Sequence, residues 1–304
     1  MEHLLTTSEP DSFFIPVKEG AILDEDYEDL QTYEKFASSR TRYKITKRRH
    51  TLHVYNIGKM PKRYQKLSLK LIEFIRCFFT LTTIVKGNLV VKYSGNKKQE
   101  YIVHPEGNEN EYYVKSQTRI REDSDSIPNS KSVLELDASD LLGVLGLYVE
   151  NDTYTVIGIT SHRIYNPKYK DDVIMGFGCG SRSCVISIPD CYDEKIKNSA
   201  SADKAALYEM IKTVAHETSH TMGIDHCVEY SCIMNSQYVK EKSSSPIYFC
   251  PICIRKLHEA IKFDCPSRWQ QLANYFTKNG FKGAAKWTQK RLQLWLKDST
   301  QIHQ

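Results

Sequence analysis

Hydrophobic and polar positions in the first third of the chain predict a strand, a helix and a second strand. Residues 51–57 carry closely spaced apolar side chains of strand type, and residues 83–93 repeat this pattern with β-branched residues. Between them, residues 62–79 place apolar side chains three and four positions apart, which is typical of an amphipathic helix. A strand, a crossover helix and a second strand are typical of a parallel or mixed sheet.

The same periodicities recur along the rest of the chain and complete the fold prediction. Further strands are predicted at 153–160, 172–177 and 183–188, and further helices at 140–148, 202–222, 251–263 and 283–297. Residues 94–131 are polar and irregular, and we expect them to form a long surface loop. The predicted fold class is therefore α/β (α+β), built on a mixed, twisted sheet.

Charge divides the chain into three predicted regions. Residues 1–49 form a charged extension that is acidic at its start and basic from residue 40 onwards. Residues 50–275 hold most of the strand and helix patterns and form the predicted folded domain. Residues 276–304 are a basic amphipathic tail, which we expect to pack on the core, with binding to a membrane surface or a partner as the alternative. The basic run around Tyr43 is of a kind that can touch nucleic acid, but most such runs are solvated faces.

The composition of the 304-residue chain is that of an ordinary globular protein, because 40% of its residues are hydrophobic and 26% are charged. Collagen, coiled coil and wholesale disorder are excluded, and a net charge of +5 is too small to indicate nucleic-acid binding. The first residues lack the features of a secretory signal, and the most apolar stretch, 71–85, is too short to cross a bilayer. We expect a cytoplasmic or nuclear protein with no membrane partner. Its nine cysteines are then metal ligands or free thiols rather than disulfides.

Two histidines with a glutamate between them carry the first candidate chemistry. His216 and His220 lie four positions apart on the predicted 202–222 helix, so both imidazoles project from one helix face. Two ring nitrogens on one face are suited to binding a single zinc ion. Glu217 follows the first histidine, where its carboxylate can reach a metal-bound water without being a ligand.

A third ligand requires that the helix end and the chain turn back. Gly223 tolerates the positive φ of such a turn, and His226 then supplies a third nitrogen. Three ligands with an open fourth position are typical of a catalytic zinc site rather than a structural one. Glu241 is a rival third ligand in a poor helix context, and ordinary helix histidines are the bland alternative. Met234 is expected to pack as an apolar floor beneath the imidazoles.

Four cysteines form a second candidate site. Cys227 and Cys232 make one pair, Cys250 and Cys253 make another, and two such pairs suit a closed tetrahedral zinc site. Reduced thiols or two disulfides are the alternatives. The prediction is thus two zinc ions per chain, one catalytic and one structural. The remaining cysteines are expected to be buried free thiols: Cys77, Cys179, Cys184, Cys191 and Cys265.

The motif HExxHxxGxxH, followed by the two cysteine pairs, resembles the archaemetzincins, most strongly over residues 202–256. This resemblance implies a metzincin-like sheet with an active-site helix, and a C-terminal helical subdomain clipped by the second zinc. It implies that Glu217 is the general base, that Met234 lies in a Met-turn, and that residues 227–253 hold the Met-turn and the cysteine site. The chain departs from the family pattern at Thr218-Ser219, where many members carry an aliphatic residue and glycine.

The resemblance implies a zinc metallopeptidase that acts on peptide or protein substrates. A zinc-stabilised binding protein with weak or no turnover is the alternative. Residues 173–177 are the best candidate for an edge strand that pairs with extended substrate. The sequence carries no Gly-x-Met-x-Asn motif of the kind that anchors a substrate amino terminus, so aminopeptidase and endopeptidase action both stay open. No cysteine-switch propeptide is visible, so inhibition by a removable pro-segment is not supported. Oligomeric partners are not predicted.

Overall fold

The computed structural model describes residues 31–40, 42–95, 100–105, 110–121, 131–169, 172–178, 180–192, 196, 199–235 and 246–301. They divide into a sheet unit, which comprises Thr46–Ile72 and Thr82–Thr221, and a helical unit within Met1–Ile45, Glu73–Leu81 and Met222–Gln304. These units differ from the expected division at residues 49 and 275, because residues 222–275 group with the C-terminal helices rather than with the sheet.

The described part of the chain begins with alternating helices and strands, continues mainly with strands and ends with four helices. In order they are α1 (Tyr33–Ser38), β1 (Thr51–Ile57), α2 (Lys62–Phe79), β2 (Thr82–Tyr93), β3 (Glu100–Pro105), β4 (Tyr112–Arg121), β5 (Lys131–Asp137), α3 (Ala138–Gly146), β6 (Thr153–Thr160), β7 (Arg163–Tyr165), β8 (Gly176–Gly178), β9 (Ser183–Ser187), α4 (Ser199–Thr221), α5 (Pro251–Ile261), α6 (Cys265–Lys278) and α7 (Lys282–Gln301). The predicted bounds of β1, α2 and β6 are confirmed exactly. The short helix α1, the strands β3, β4, β5 and β7, and the helix α6 were not predicted.

The sheet unit holds one nine-stranded mixed sheet in the order β7-β5-β4-β3-β2-β1-β6-β9-β8. The central strand β1 pairs parallel with both β2 and β6, and β9 continues the parallel part beyond β6. Strands β2 to β5 pair antiparallel, and β8 pairs antiparallel with β9 at the end of the sheet. This mixed sheet with its helices confirms the predicted α/β class.

The predicted loop over 94–131 is wrong. Strands β3 and β4 occupy most of its described residues, and they pair with each other in antiparallel register. Val103 and Val114 are fully buried, whereas Tyr101, His104, Tyr113 and Lys115 are partly or fully exposed. A strand with one solvated face alternates between apolar and polar residues, and that alternation resembles an irregular polar segment. The strand predicted at 172–177 is also shorter than expected, because only Gly176–Gly178 is extended and paired.

The core of the sheet unit lies where β1 and β6 are covered. Every residue of β6 is buried, which agrees with its β-branched sequence. A buried cluster joins these strands to α3 through Ile57, Leu141, Leu145 and Val156. The sequence Asp137-Ala138 begins α3, since the Asp137 carboxylate accepts hydrogen bonds from the amides of Ser139 and Asp140.

The helical unit is built on aromatic side chains. Phe78, near the end of α2, packs against Phe74 and Phe249 with ring centroids 5.1 and 5.2 Å apart. Helix α7 lies within the predicted basic tail, and its Trp287 stacks on Tyr248 at 4.3 Å. No helix among the described residues is both long enough and apolar enough to span a bilayer. The cytoplasmic or nuclear location stays a prediction.

Candidate metal centres

Helix α4 carries the first two predicted zinc ligands. Its 23 residues are mostly buried, and Leu207, Ile211 and Val214 lie in the core of the sheet unit. His216 is buried and His220 is half-buried one turn later. Their Nε2 atoms are 2.9 Å apart, and the rings are nearly perpendicular with centroids 4.5 Å apart. Both imidazoles therefore aim a nitrogen at one point, as their four-residue spacing predicts.

The third histidine follows the turn that ends α4. Gly223 has φ +82°, a left-handed conformation that ends the helix without the steric cost of a Cβ. One ring nitrogen of His226 then lies within 4.8 Å of the ring nitrogens of His216 and His220. Three nitrogens around a tetrahedral zinc ion are about 3.3 Å apart for bonds of about 2.0 Å. The three ring nitrogens lie close enough together that they could hold such an ion.

A glutamine far away in sequence braces the turn before His226. Gln31 Nε2 donates to the Gly223 carbonyl at 2.9 Å and to the Asp225 carboxylate at 2.7 Å. Its Oε1 accepts the backbone N–H of Asp225 at 3.1 Å. Sequence analysis missed Gln31, because a single glutamine almost two hundred positions from the motif carries no local signal.

Glu217 lies against the edge strand β8 and is partly exposed. Burial raises the pKa of its carboxyl to about 8, while a hydrogen bond from the Gly178 backbone N–H acts in the opposite direction. A Cβ added to Gly176 would lie 2.9 Å from Glu217 Cγ, and one added to Gly178 would lie 2.7 Å from the Glu217 carbonyl oxygen. Glycine at both positions is what lets β8 lie flush on α4. The predicted 173–177 strand is thus found, in shortened form, at the end of the sheet and beside Glu217.

The Thr218-Ser219 departure is accommodated inside the protein. Both side chains are fully buried. Ser219 donates its hydroxyl to the Ala215 carbonyl at 2.6 Å, and the Thr218 hydroxyl lies 3.5 Å from the Cys184 sulfur. Each hydroxyl therefore has a partner inside the protein and does not face solvent. As a result, this pair does not alter the exposed surface around Glu217.

The four predicted zinc cysteines converge in the helical unit. Cys227, Cys232, Cys250 and Cys253 are buried, and their sulfurs all lie within 4.8 Å of one another. The Sγ atoms of Cys227 and Cys250 are 3.7 Å apart, and those of Cys232 and Cys253 are 3.9 Å apart. A disulfide needs about 2.05 Å, whereas the edges of a ZnS₄ tetrahedron with bonds of about 2.3 Å measure about 3.8 Å. The observed spacing matches the tetrahedron and disfavours two disulfides.

The electrostatics of this cluster favour a cation. Hydrogen bonds from the other three thiols lower the pKa of Cys227, whereas burial raises the pKa of Cys232. A metal ion held by the four sulfurs would favour their thiolate forms and offset the cost of burying that charge. Backbone hydrogen bonds fix the cluster, since the Cys227 N–H donates to the Met234 carbonyl at 2.7 Å and Asn235 Nδ2 donates to the Cys227 carbonyl at 2.9 Å. Met234 is completely buried.

Two of the remaining sequence predictions fall outside the described residues, namely Cys179 and the rival ligand Glu241. Cys184, Cys191 and Cys265 are buried free thiols as expected, and Cys77 is half-buried. Burial raises the pKa of Cys184 to about 12, so its thiol is unreactive at neutral pH.

Comparison with known proteins finds a matching family model, similar sequences and similar solved structures. Residues 110–259 match Peptidase family M54. Archaemetzincin-2 of Pongo abelii is 29% identical over 168 residues, which is 47% of this chain and 46% of that protein. The mouse Archaemetzincin-2 is 23% identical over 273 residues, or 81% of this chain and 69% of that protein. The chain thus spans about half the length of the first of these relatives. An archaemetzincin of Saccharolobus islandicus is 36% identical over 58 residues, or 19% of this chain and 32% of that protein.

Two solved structures are similar at lower identity. The archaemetzincin of Methanopyrus kandleri superposes with a TM-score of 0.47 at 18% identity, covering 71% of this chain and 97% of that one. The Archaeoglobus fulgidus protein, solved with malonate, gives a TM-score of 0.43 at 15% identity, covering 68% of this chain and 99% of that one.

Proposed function

We propose that this chain, which matches Peptidase family M54 over residues 110–259 and is similar to archaemetzincins, is a zinc-dependent peptidase of that family whose catalytic ion is held by His216, His220 and His226. The convergence of three ring nitrogens within 4.8 Å of one another, beside a partly exposed carboxylate, is the observation that carries the proposal. Neutral imidazole is a preferred zinc ligand, and three of them leave a fourth position open.

The chemistry divides between the ion and Glu217. His216, His220 and His226 would hold the zinc ion, which would supply Lewis-acid chemistry by activating a water as nucleophile and polarising the scissile carbonyl. Glu217 accepts the proton of the attacking water and returns it to the leaving amine, so it acts first as general base and then as general acid. A cation nearby favours its ionised form and thereby opposes the effect of burial on its pKa. The Gly178 N–H stabilises the same ionised form.

Strand β8 is the proposed docking edge for substrate. It is the last strand of the sheet and lies beside Glu217, so an extended peptide that pairs with it passes the carboxylate. Substrates of this class are peptides or unfolded protein segments. Removal of terminal residues and internal cleavage both fit this arrangement.

The cysteine cluster is the proposed structural zinc site. Four ligands within one buried tetrahedron leave no position for substrate. The proposed content is therefore two zinc ions per chain in these sites, of which only the histidine-bound ion takes part in hydrolysis. A binding protein without turnover is disfavoured because Glu217, which no binding role requires, is retained beside the histidines.

The test is hydrolysis of a diverse peptide library by the zinc-loaded full chain and by Glu217→Gln. Loss of the general base is expected to lower the rate by about 10² to 10⁴-fold while zinc content stays the same. Glu111→Gln, at an exposed carboxylate of the same unit, is the matched control and should cleave like the wild type. New termini read by mass spectrometry distinguish trimming from internal cleavage. Equal cleavage by wild type and Glu217→Gln would refute the proposed mechanism, and silence of both with zinc bound would favour the binding alternative.

A further inference from the structure

A third group of metal-ligating side chains lies in the sheet unit at the start of two adjacent strands. His53 is the third residue of β1, and Glu150 and Asp152 precede β6. One ring nitrogen of His53 and one carboxylate oxygen from each acid lie within 4.8 Å of one another. None of the three belongs to the histidine or cysteine centre described above.

His53 is the unusual member of this group. Its side chain is only 1% exposed, since it stands on β1, an interior strand of the sheet. Within the described part of the chain, its Nε2 atom is buried and has no hydrogen-bond partner. Its approach to Asp152 Oδ2, at 3.5 Å, is too long for a hydrogen bond of ordinary geometry. A buried ring nitrogen that lies beside a carboxylate and forms no hydrogen bond is costly unless something fills the gap.

The hydrogen bond of the other ring nitrogen, Nδ1, sets which nitrogen of His53 can bind a metal. Nδ1 of His53 is 3.0 Å from the Thr153 hydroxyl, and that hydroxyl accepts the Glu150 N–H at 2.8 Å. When Nδ1 carries the proton and donates it to Thr153, the lone pair of Nε2 faces the carboxylates. Metal-bound histidines are commonly held in this way, with the second nitrogen donating to a neighbouring oxygen.

The two acids supply negative charge at the open side of the group. Partial desolvation works against ionisation of Asp152, but the nearby imidazole of His53 and a hydrogen bond from the Thr51 side chain outweigh it and lower the pKa of the carboxyl. Glu150 is exposed and pairs with Lys86, whose Nζ lies 2.6 Å from Oε1. Its second carboxylate oxygen stays available for a ligand. With neutral His53, the two acids and Lys86 sum to a single negative charge, which attracts a cation.

We propose that His53, Glu150 and Asp152 form a third metal site, which binds a divalent transition-metal ion such as Zn²⁺ through one nitrogen and two carboxylate oxygens. This ligand set suits zinc, and the same set holds hard alkaline-earth ions less well because of the imidazole. The site joins the turn before β6 to the start of β1. Lys86 competes with the ion for the carboxylate of Glu150, so this ion pair lowers the affinity of the site for a metal. The site is independent of the peptidase proposal and stands or falls separately.

The test counts zinc in the full-length protein by mass spectrometry of the metal after equilibrium dialysis against buffered free Zn²⁺. The measured quantity is the difference between variants rather than the absolute count, so failure of either proposed zinc centre leaves it unaffected. Asp152→Asn and Glu150→Gln change groups at the open side of the site, and each is expected to weaken uptake of one ion by about tenfold or more. Glu111→Gln removes the same charge from an exposed position outside the site, and it should bind as many ions as the wild type.

Lys86→Gln supplies a variant with the opposite expected sign. It frees Glu150, so the third ion should bind more tightly than in the wild type. The ¹⁵N chemical shift of His53 Nε2 should move when that ion is added and should not move in Asp152→Asn. Identical zinc uptake by wild type, Asp152→Asn and Glu150→Gln would overturn the proposal, and His53 would then be a buried partner of Asp152 without a metal. An unchanged His53 signal during zinc uptake would overturn it as well.

Discussion

Replacing Gly178 by alanine tests whether close packing of β8 on α4 sets the position of Glu217. The added Cβ would lie 2.7 Å from the Glu217 carbonyl oxygen and 3.2 Å from its carbonyl carbon. These are backbone atoms of a buried helix, so the strand rather than the helix must yield. Overpacking of this kind costs about 1–3 kcal/mol of the free energy of unfolding. At about 2 °C per kcal/mol, the midpoint of thermal unfolding should fall by about 2–6 °C.

Displacement of β8 also removes the hydrogen bond from the Gly178 N–H to the Glu217 carboxylate. That bond lowers the pKa of Glu217, so its loss raises the pKa. Because a general base acts in its ionised form, the acidic limb of the pH–rate profile should move to higher pH. The expected result is a lower kcat near neutrality that recovers in part as pH rises.

Gly180→Ala is the matched control, since a Cβ at this position meets no described atom within 4 Å. It should leave the thermal midpoint and the pH profile close to those of the wild type. Scanning calorimetry of the zinc-loaded protein and initial rates over a pH series provide the measurements. The backbone of Glu217 leaves no room for the added methyl group at Gly178. A Gly178→Ala protein with wild-type stability and a wild-type pH–rate profile would therefore refute the packing argument.

Three further predictions concern the metal centres. The double variant Cys250→Ser, Cys253→Ser should lose one zinc ion per chain and several kcal/mol of the free energy of unfolding. The control variant Cys77→Ser should keep the zinc content and the stability of the wild type. An unchanged zinc count in the double variant would exclude the tetrahedral site. Gln31→Ala removes three hydrogen bonds from the Gly223–Asp225 turn and should weaken zinc binding at the histidines by about tenfold in a chelator competition, while Gln65→Ala, which loses one bond to Met60, should not. Dialysis against a chelator should remove the histidine-bound zinc and activity before the thiolate-bound zinc, since only the first site has an open position; simultaneous loss of both ions would contradict this order.

The candidate ligands could be predicted from sequence because most of them lie close together along the chain. His216 and His220 share one helix turn, and Cys250 and Cys253 lie at the first turn of α5, so short spacing already implies proximity. The long buried elements β1, α2 and β6 were predictable for a similar reason. Their apolar patterns extend over enough residues to show a clear period.

What the sequence concealed depends on long-range contacts or on alternating polarity. Strands β3 and β4 look polar because one of their faces is solvated, and only pairing reveals them as part of the sheet. The roles of Gly176 and Gly178 follow from contact with a helix almost forty residues later, which no local pattern records. The buried orientation of His53 is hidden for the same reason, because its partners Glu150 and Asp152 come from the turn before a neighbouring strand.

The segments before and after His226, the proposed third ligand, are both restrained by hydrogen bonds. These restraints give a physical reason for two candidate metal centres so close in sequence. On one side, Gln31 fixes Gly223 and Asp225 through three hydrogen bonds. On the other side, His226 is joined by one peptide bond to Cys227, whose sulfur and backbone are tied into the cysteine cluster. A segment restrained at both ends loses less conformational freedom when it binds an ion, so less of the binding free energy is lost to ordering. We therefore expect the cysteine cluster to increase zinc affinity at the three histidines without contributing a ligand to them.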